Sequence, residues 1–251
     1  MVQRLSALVL LVPLLFLLSC GSTELPLTYN SIRGSGNLIT VLVEDLDLFH
    51  SVTLKTTGDV MLVFDTEPAV AVSVDHNLQR FITTEVVNDV LMIGLKTPKE
   101  VKVSGMKLTV WVTMPVLQQL TLDVDGIGSF QTDSSLFQVP EVDLVLAGVG
   151  NMELDLEVSQ RLSSTLTGVG NLVLTGSARR HDLTHEATGG VHAFEFETDS
   201  CTIISNSVGD IEVDVREYLN ATISNIGSIY YHGFPAIEVV DTGLGELIDD
   251  N

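Results

Sequence analysis

Downstream of Gly150 apolar and polar residues alternate strictly. Met152, Leu154, Leu156 and Val158 fall at even offsets from the glycine, and Glu153, Asp155 and Glu157 at odd ones. The alternation restarts after Gly209, with Ile211, Val213 and Val215 set against Asp210, Glu212 and Asp214. A period of two sends successive side chains to opposite faces of an extended chain, so each run predicts a strand with one buried face. A second short strand is expected before each following corner, as in 161–168 and 202–209. Beyond the first twenty residues no stretch keeps a 3.6-residue period, so helices are not expected.

The strands are punctuated by glycine corners. Taking the second glycine of each corner gives Gly128, Gly150, Gly170, Gly190, Gly209, Gly227 and Gly245, at gaps of 22, 20, 20, 19, 18 and 18 residues. Repetition at a near-constant short period announces stacked units. The expected fold is all-β: a right-handed parallel β-helix-like solenoid with about 18–22 residues per coil. In it, inward Val, Leu and Ile stack on their equivalents about 4.8 Å away. An antiparallel sandwich or barrel is the alternative, but its two-residue turn signals are nearly missing; Asp125-Gly126 is the exception. Residues 125–251 read as regular coils, and 31–124 as a looser half of the same single domain. Gly36 and Gly58, 22 residues apart, have the corner character there, and the looser half is expected to cover the first rung while continuing the coil. Trp111 is assigned to the core or the end cap. The G-x-G pairs could also be a phosphate cradle, but strands follow them and no lysine is near, so they read as corners.

The start of the chain reads as an address. A short basic opening and the apolar run 6–18 suit a signal peptide, 1–19, and are too short to span a bilayer comfortably. Leu17-Leu18-Ser19-Cys20-Gly21 is similar to a bacterial lipobox, which implies cleavage before Cys20 and lipid on that cysteine. Residues 20–30 then form the lipidated terminus and its tether, and the expected location is the bacterial envelope, as an outer-membrane lipoprotein. With Cys20 lipidated, Cys201 has no partner in its own chain and reads as a small buried hydrophobe. The chain carries 33 acidic and 12 basic residues. So negative a surface repels nucleic acid and anionic lipid headgroups and favours cations, neutral sugars or basic protein surfaces. The expected partners are the membrane, through the N-terminal lipid, and a glycan or an envelope or surface protein.

Three segments carry a family resemblance: 56–64 (TTGDVMLVF), 72–95 (VSVDHNLQRFITTEVVNDVLMIGL) and 225–247 (NIGSIYYHGFPAIEVVDTGLGEL). Together they resemble the head GIN domain of putative auto-transporter adhesins. The resemblance covers roughly 30–248, implies the β-helix-like fold, and supplies no catalytic residue.

The candidate chemistry is carboxylate chemistry. Glu153, Asp155 and Glu157 share an outward face, and in-register stacking predicts a column of Asp155, Thr175, Glu195, Asp214 and His232, with Glu195 beside Asp214. Three readings of this face stand: a solvated face that keeps the protein soluble, a Ca²⁺ site relieving the repulsion, or a glycosidase or lyase pair. His181, His185 and His192 with Glu186 invite a metal reading. In a strand, however, His181 and His185 lie about 13 Å apart, and surface histidines are expected. The leading functional expectation is a lipid-anchored binding or structural module without catalytic activity and without a required cofactor. Exposed end rungs leave room for oligomers.

Overall fold

The computed structural model describes residues 30–133 and 136–251. The signal peptide, Cys20 and the tether up to residue 29 lie outside the described residues. The protein is all-β, with parallel strands stacked into a solenoid of about six turns. Its regular part consists of Phe137–Leu146, Val149–Leu166, Leu172–His185, Val191–Ser205 and Ile211–Ile223. Each pairs in parallel with the next. The two strands expected per coil are in each case the two arms of one bent strand. In Val149–Leu166, Val158 and Leu162 point inward while Ser159, Gln160 and Arg161 between them are all exposed. Skipping the alternation at this point turns the chain from one wall of the solenoid to the other.

Register stacks like on like inside. One wall contributes Val60, Phe130, Met152, Leu172, Val191, Ile211 and Ile229, neighbours from rung to rung and all buried. The opposite wall contributes Val52, Leu120, Leu144, Ser164, Leu183, Ile203 and Ala221. Each fully buried Val, Leu or Ile stabilises the fold by about 1.5–3 kcal/mol, which no disulfide supplements among the described residues.

The glycines stack as well. A Cβ on Gly128, Gly150 or Gly170 would come within 1.6 Å of the carbonyl oxygen of Gly58, Gly128 or Gly150, respectively, one rung away. The corners therefore need glycine for close approach as well as for backbone freedom. The fourth corner departs from the expected column. Gly189, not Gly190, lies against Gly170, and Gly209 lies against Gly189. In Thr188-Gly189-Gly190 either glycine fits the sequence pattern, and only the register of Val191 on Leu172 selects the first. Gly36 is not a coil corner: a Cβ there would meet nothing within 4 Å.

The first half mixes regular rungs with a cap. Ser51–Leu54 and Asp59–Phe64 stack in parallel on Gln119–Leu122 and Ile127–Thr132. Beyond them, Val90–Leu95 and Leu108–Met114 add one more parallel rung although they come later in the chain. Antiparallel strands finish the end: Ile82–Val87 on one wall, Ala69–Asp75 and then Leu38–Leu42 on the other. Buried Asp75 ties the cap together, accepting from the backbone N–H of Lys107 at 2.8 Å and of Gly36 at 2.6 Å. Those bonds, led by Lys107, outweigh its burial and hold its carboxyl below the usual range. Trp111 belongs to the cap rung but faces outward and half exposed, so it is not a core residue. At the other end Ala236–Asp241 and Leu247–Asp249 form the last rung.

Candidate functional site

The bends of successive turns lie side by side and form a groove of about 560 Å³ on the outside of the solenoid. Its floor and sides include Glu157, Ser159, Ser177, Arg179, Glu197 and Asp199. The four basic residues that follow Lys107 in sequence, Arg161, Arg179, Arg180 and Arg216, all lie at or beside this bend. Three of them are paired. Arg161 and Arg180 both donate to Asp182, at 2.7 and 2.8 Å, and Arg216 pairs with Glu197. Burial alone would raise the Asp182 carboxyl, but the two guanidinium groups hold it below its usual range. Glu157 accepts from Gln138 Nε2 of the previous rung. Among the described residues Arg179 has no ion pair, so the groove presents one open guanidinium with Asp199 one rung on and the Ser159 and Ser177 hydroxyls alongside. Such a set donates to and accepts from hydroxyl groups along an extended ligand.

The expected carboxylate column is only partly in register. Asp155 faces Thr175, whose hydroxyl it accepts, and Asp214 faces His232. Glu195 is not the partner of Asp214; Glu197 is. The reason is a bulge: Phe194 and Glu195 both turn outward before Phe196 re-enters the core, so the strand gains residues relative to both neighbours. Counting from Gly189, the fifth position is Phe194, and its ring lies flat on His232, 3.9 Å between centroids and 10° between planes. Asp214, the neighbour of His232 one rung back, is partly buried. Its carboxyl is raised, first by burial and then by Glu197, against the pull of His232 and Arg216. Glu153 and Glu195 remain exposed on the outer face. Among the described residues no three His, Cys, Asp or Glu side chains are grouped to hold a metal ion.

The histidines are not the surface group expected. His181 and His185 alternate with Asp182 and Thr184 on the inward face of Leu172–His185 and are fully buried. His181 Nε2 meets Ser164 Oγ at 3.0 Å, and His185 Nδ1 meets Ser207 Oγ at 2.9 Å. Burial lowers both, His181 to about 4, so each is neutral at pH 7. Of these three histidines only His192 faces out, 2.9 Å from Glu212. Cys201 stacks beside His181 in the core, and burial pushes its thiol up, away from reactivity.

One feature of the surface escaped the pattern reading. The residue just before each stacked glycine points outward, giving a ladder of Ile127, Val149, Val169, Val208, Ile226 and Leu244 that is between 47 and 83% exposed. Thr188 interrupts it at the fourth corner. Every member lies three residues before the continuous inward column, so the ladder follows one edge of the solenoid from turn to turn. Its signal in the sequence was the conserved character of the middle letter in GIG, GVG, GVG and GLG, which the glycines overshadowed.

Comparison with known proteins bears on this surface. The model of the family described as putative auto-transporter adhesin, head GIN domain, matches residues 48–235. The chain belongs to that family. Among solved structures it is similar to a putative adhesin from Bacteroides fragilis, at 25% identity and a TM-score of 0.78, over 86% of this chain and 98% of that one. A putative adhesin from Parabacteroides merdae gives 22% and 0.65, over 87% and 99%. A putative lipid binding protein from Parabacteroides distasonis gives 20% and 0.58, over 88% and 100%. The last two likenesses show the fold alone. No curated protein matches the chain. Membership of this adhesin-like family places the protein with cell-surface or envelope proteins.

Proposed function

We propose that this head GIN domain protein is a non-catalytic binding module, tethered by lipid at Cys20 to the outer membrane, that holds a glycan chain along the bend groove. The observation that carries this reading is the composition of the groove. In a flank otherwise dominated by carboxylates, the arginines gather at the bend, and Arg179 is left open beside Asp199 and two serine hydroxyls. A guanidinium and a carboxylate about one rung apart suit the donor and acceptor pattern of vicinal hydroxyls, and a rigid solenoid presents them without induced movement. The adhesin description of the family and of its structural neighbours supports a surface-binding role.

The test is a glycan array followed by calorimetry on the mature chain. Binding that falls at least tenfold in Arg179→Ala and in Asp199→Ala, with unchanged melting temperature, supports the reading. Equal binding by both variants, or no binding to any saccharide, overturns it. Metabolic labelling with an alkyne fatty acid tests the anchor separately. Label should appear on the chain and vanish in Cys20→Ser.

A further inference from the structure

The column of bends runs on past the groove. Arg179 faces Asp199 across one rung, since Ala178 pairs with Thr198 and Arg180 with Ser200. Asp199 in turn lies against Arg216-Glu217, between Thr198 on Val215 and Ser200 on Tyr218. On the following rung Asp214 pairs with His232 and Tyr218 with Ala236. The stretches 215–217 and 233–235 between these pairs are equal in length, which sets Arg216 beside Phe234. The groove is lined as far as Arg216, so Phe234 stands at its C-terminal exit.

Phe234 is 89% exposed, more than any other large apolar side chain among the described residues. The backbone beneath it is nevertheless fixed. Gly233 has a φ of +90° and approaches the previous turn so closely that a Cβ would lie 2.2 Å from the Val215 carbonyl oxygen. The Asn251 side chain clamps the same residue, accepting from the Gly233 N–H at 2.9 Å and donating to the Gly233 carbonyl oxygen at 3.0 Å. Pro235 restricts φ on the other side. A second ring borders the exit: Tyr218 is 39% exposed, and its hydroxyl donates to Glu238 at 2.7 Å. An apolar ring held in water on a rigid turn, in line with a polar groove, leaves a ligand little ordering to impose.

We propose that Phe234 is a stacking platform for one sugar ring of a neutral saccharide chain that runs along the solenoid axis from Arg179 and Asp199. The C–H face of a pyranose is weakly electropositive and complements the negative face of an aromatic ring. The sugar hydroxyls, which point outward from the ring, remain free for the polar groups of the groove. Exposed Glu217 and Glu238 beside the platform favour a neutral chain over an acidic one. Three rungs of about 4.8 Å put Phe234 on the order of 14 Å from Arg179, so a disaccharide cannot lie on both and an extended hexasaccharide can. The inference rests on the glycan reading of the groove, to which it adds a minimum ligand length and a sugar with an apolar face at one position.

The experiment is calorimetry on the mature chain with neutral gluco-, manno- and xylo-oligosaccharides, each as the disaccharide and the hexasaccharide. For the series that binds, the wild type should hold the hexasaccharide at least about fivefold tighter than the disaccharide. Phe234→Ala and Phe234→Leu should each cut that gain to about twofold or less, and Phe234→Trp should keep it. Arg179→Ala should weaken both lengths. The ring is almost wholly in water, so none of the Phe234 variants removes a core contact. A full gain in Phe234→Ala overturns the platform while leaving the groove reading intact, provided Arg179→Ala has lost binding. A full gain in Phe234→Leu also overturns it, because bulk without a π face would then suffice. No binding by any oligosaccharide overturns the groove reading and the platform with it. Pelleting with phosphatidylcholine vesicles that is lost in Phe234→Ala, with the length gain unchanged, would make the ring a membrane contact and overturn the platform.

Discussion

At Gly170 a single methyl group decides whether two turns can stack. Its added Cβ would sit 1.6 Å from the Gly150 carbonyl oxygen, backbone against backbone, at a φ of +147°. Gly170→Ala should therefore cost about 3 kcal/mol or more, read as a drop in the urea midpoint. Gly36→Ala offers the control: φ is +76° but nothing lies within 4 Å, so only the conformational cost of about 1 kcal/mol applies. The glycine spacing made this column legible in the sequence, to within the one-residue ambiguity at Gly189-Gly190. The inward histidines were less legible, because they fall at odd offsets from Gly170, 11 and 15, and only the two consecutive outward residues at the bend, Arg179 and Arg180, switch the parity that turns them inward. Their burial has a pH consequence. His181 has a folded pKa of about 4 against 6.5 unfolded, so the unfolded chain binds the extra proton and stability falls as pH drops from about 6.5 to about 4. The loss is on the order of 3 kcal/mol for this fully buried ring. In His181→Leu with Ser164→Ala, which removes both hydrogen-bond partners, urea midpoints between pH 7 and 4.5 should show a flatter dependence.

The strand is the scale at which alternation alone is insufficient. It correctly separates inward from outward residues along each arm, but it cannot place a bulge. Phe194-Glu195-Phe196 reads as apolar, polar, apolar, and that pattern conceals the two consecutive outward residues. The slip moves Glu195 off the column and brings Glu197 to Asp214, so the error in the expected site follows from one local irregularity. Bulges of this kind are fixed by packing across rungs: Phe196 meets the edge of His181 with ring centroids 6.1 Å apart, a contact invisible along a single strand. The resulting electrostatics can be checked. Glu197 raises the Asp214 carboxyl and also holds Arg216, which lowers it. Glu197→Gln removes the first influence and frees the second, so the Asp214 pKa should fall toward the ordinary value in a carboxyl NMR titration. A value that stays put or rises would show that Asp214 does not sense Glu197.

For the molecule as a whole, net charge and site geometry pull apart on the question of calcium. A chain with a formal charge of −21 gains stability from any added salt, because screening relieves its self-repulsion. A specific Ca²⁺ site needs six to eight converging oxygens, and the outward carboxylates do not converge. Glu153 already engages Gln131, Asp155 engages Thr175, and Glu157 engages Gln138, each a neutral partner on the adjacent rung. Stacking at rung spacing thus supplies hydrogen bonds between turns in place of a cation. Thermal melts of the mature chain should rise alike in NaCl and CaCl₂ at matched ionic strength, with midpoints within about 1 °C of each other. At the roughly 2–4 °C per kcal/mol expected for this chain length, a tightly bound ion could not hide within that margin. A Ca²⁺-specific rise of several degrees that saturates below 1 mM would instead locate a cation-stabilised scaffold on the acidic face. The same melts run on Glu153→Gln and Asp155→Asn would then say which rung holds the ion.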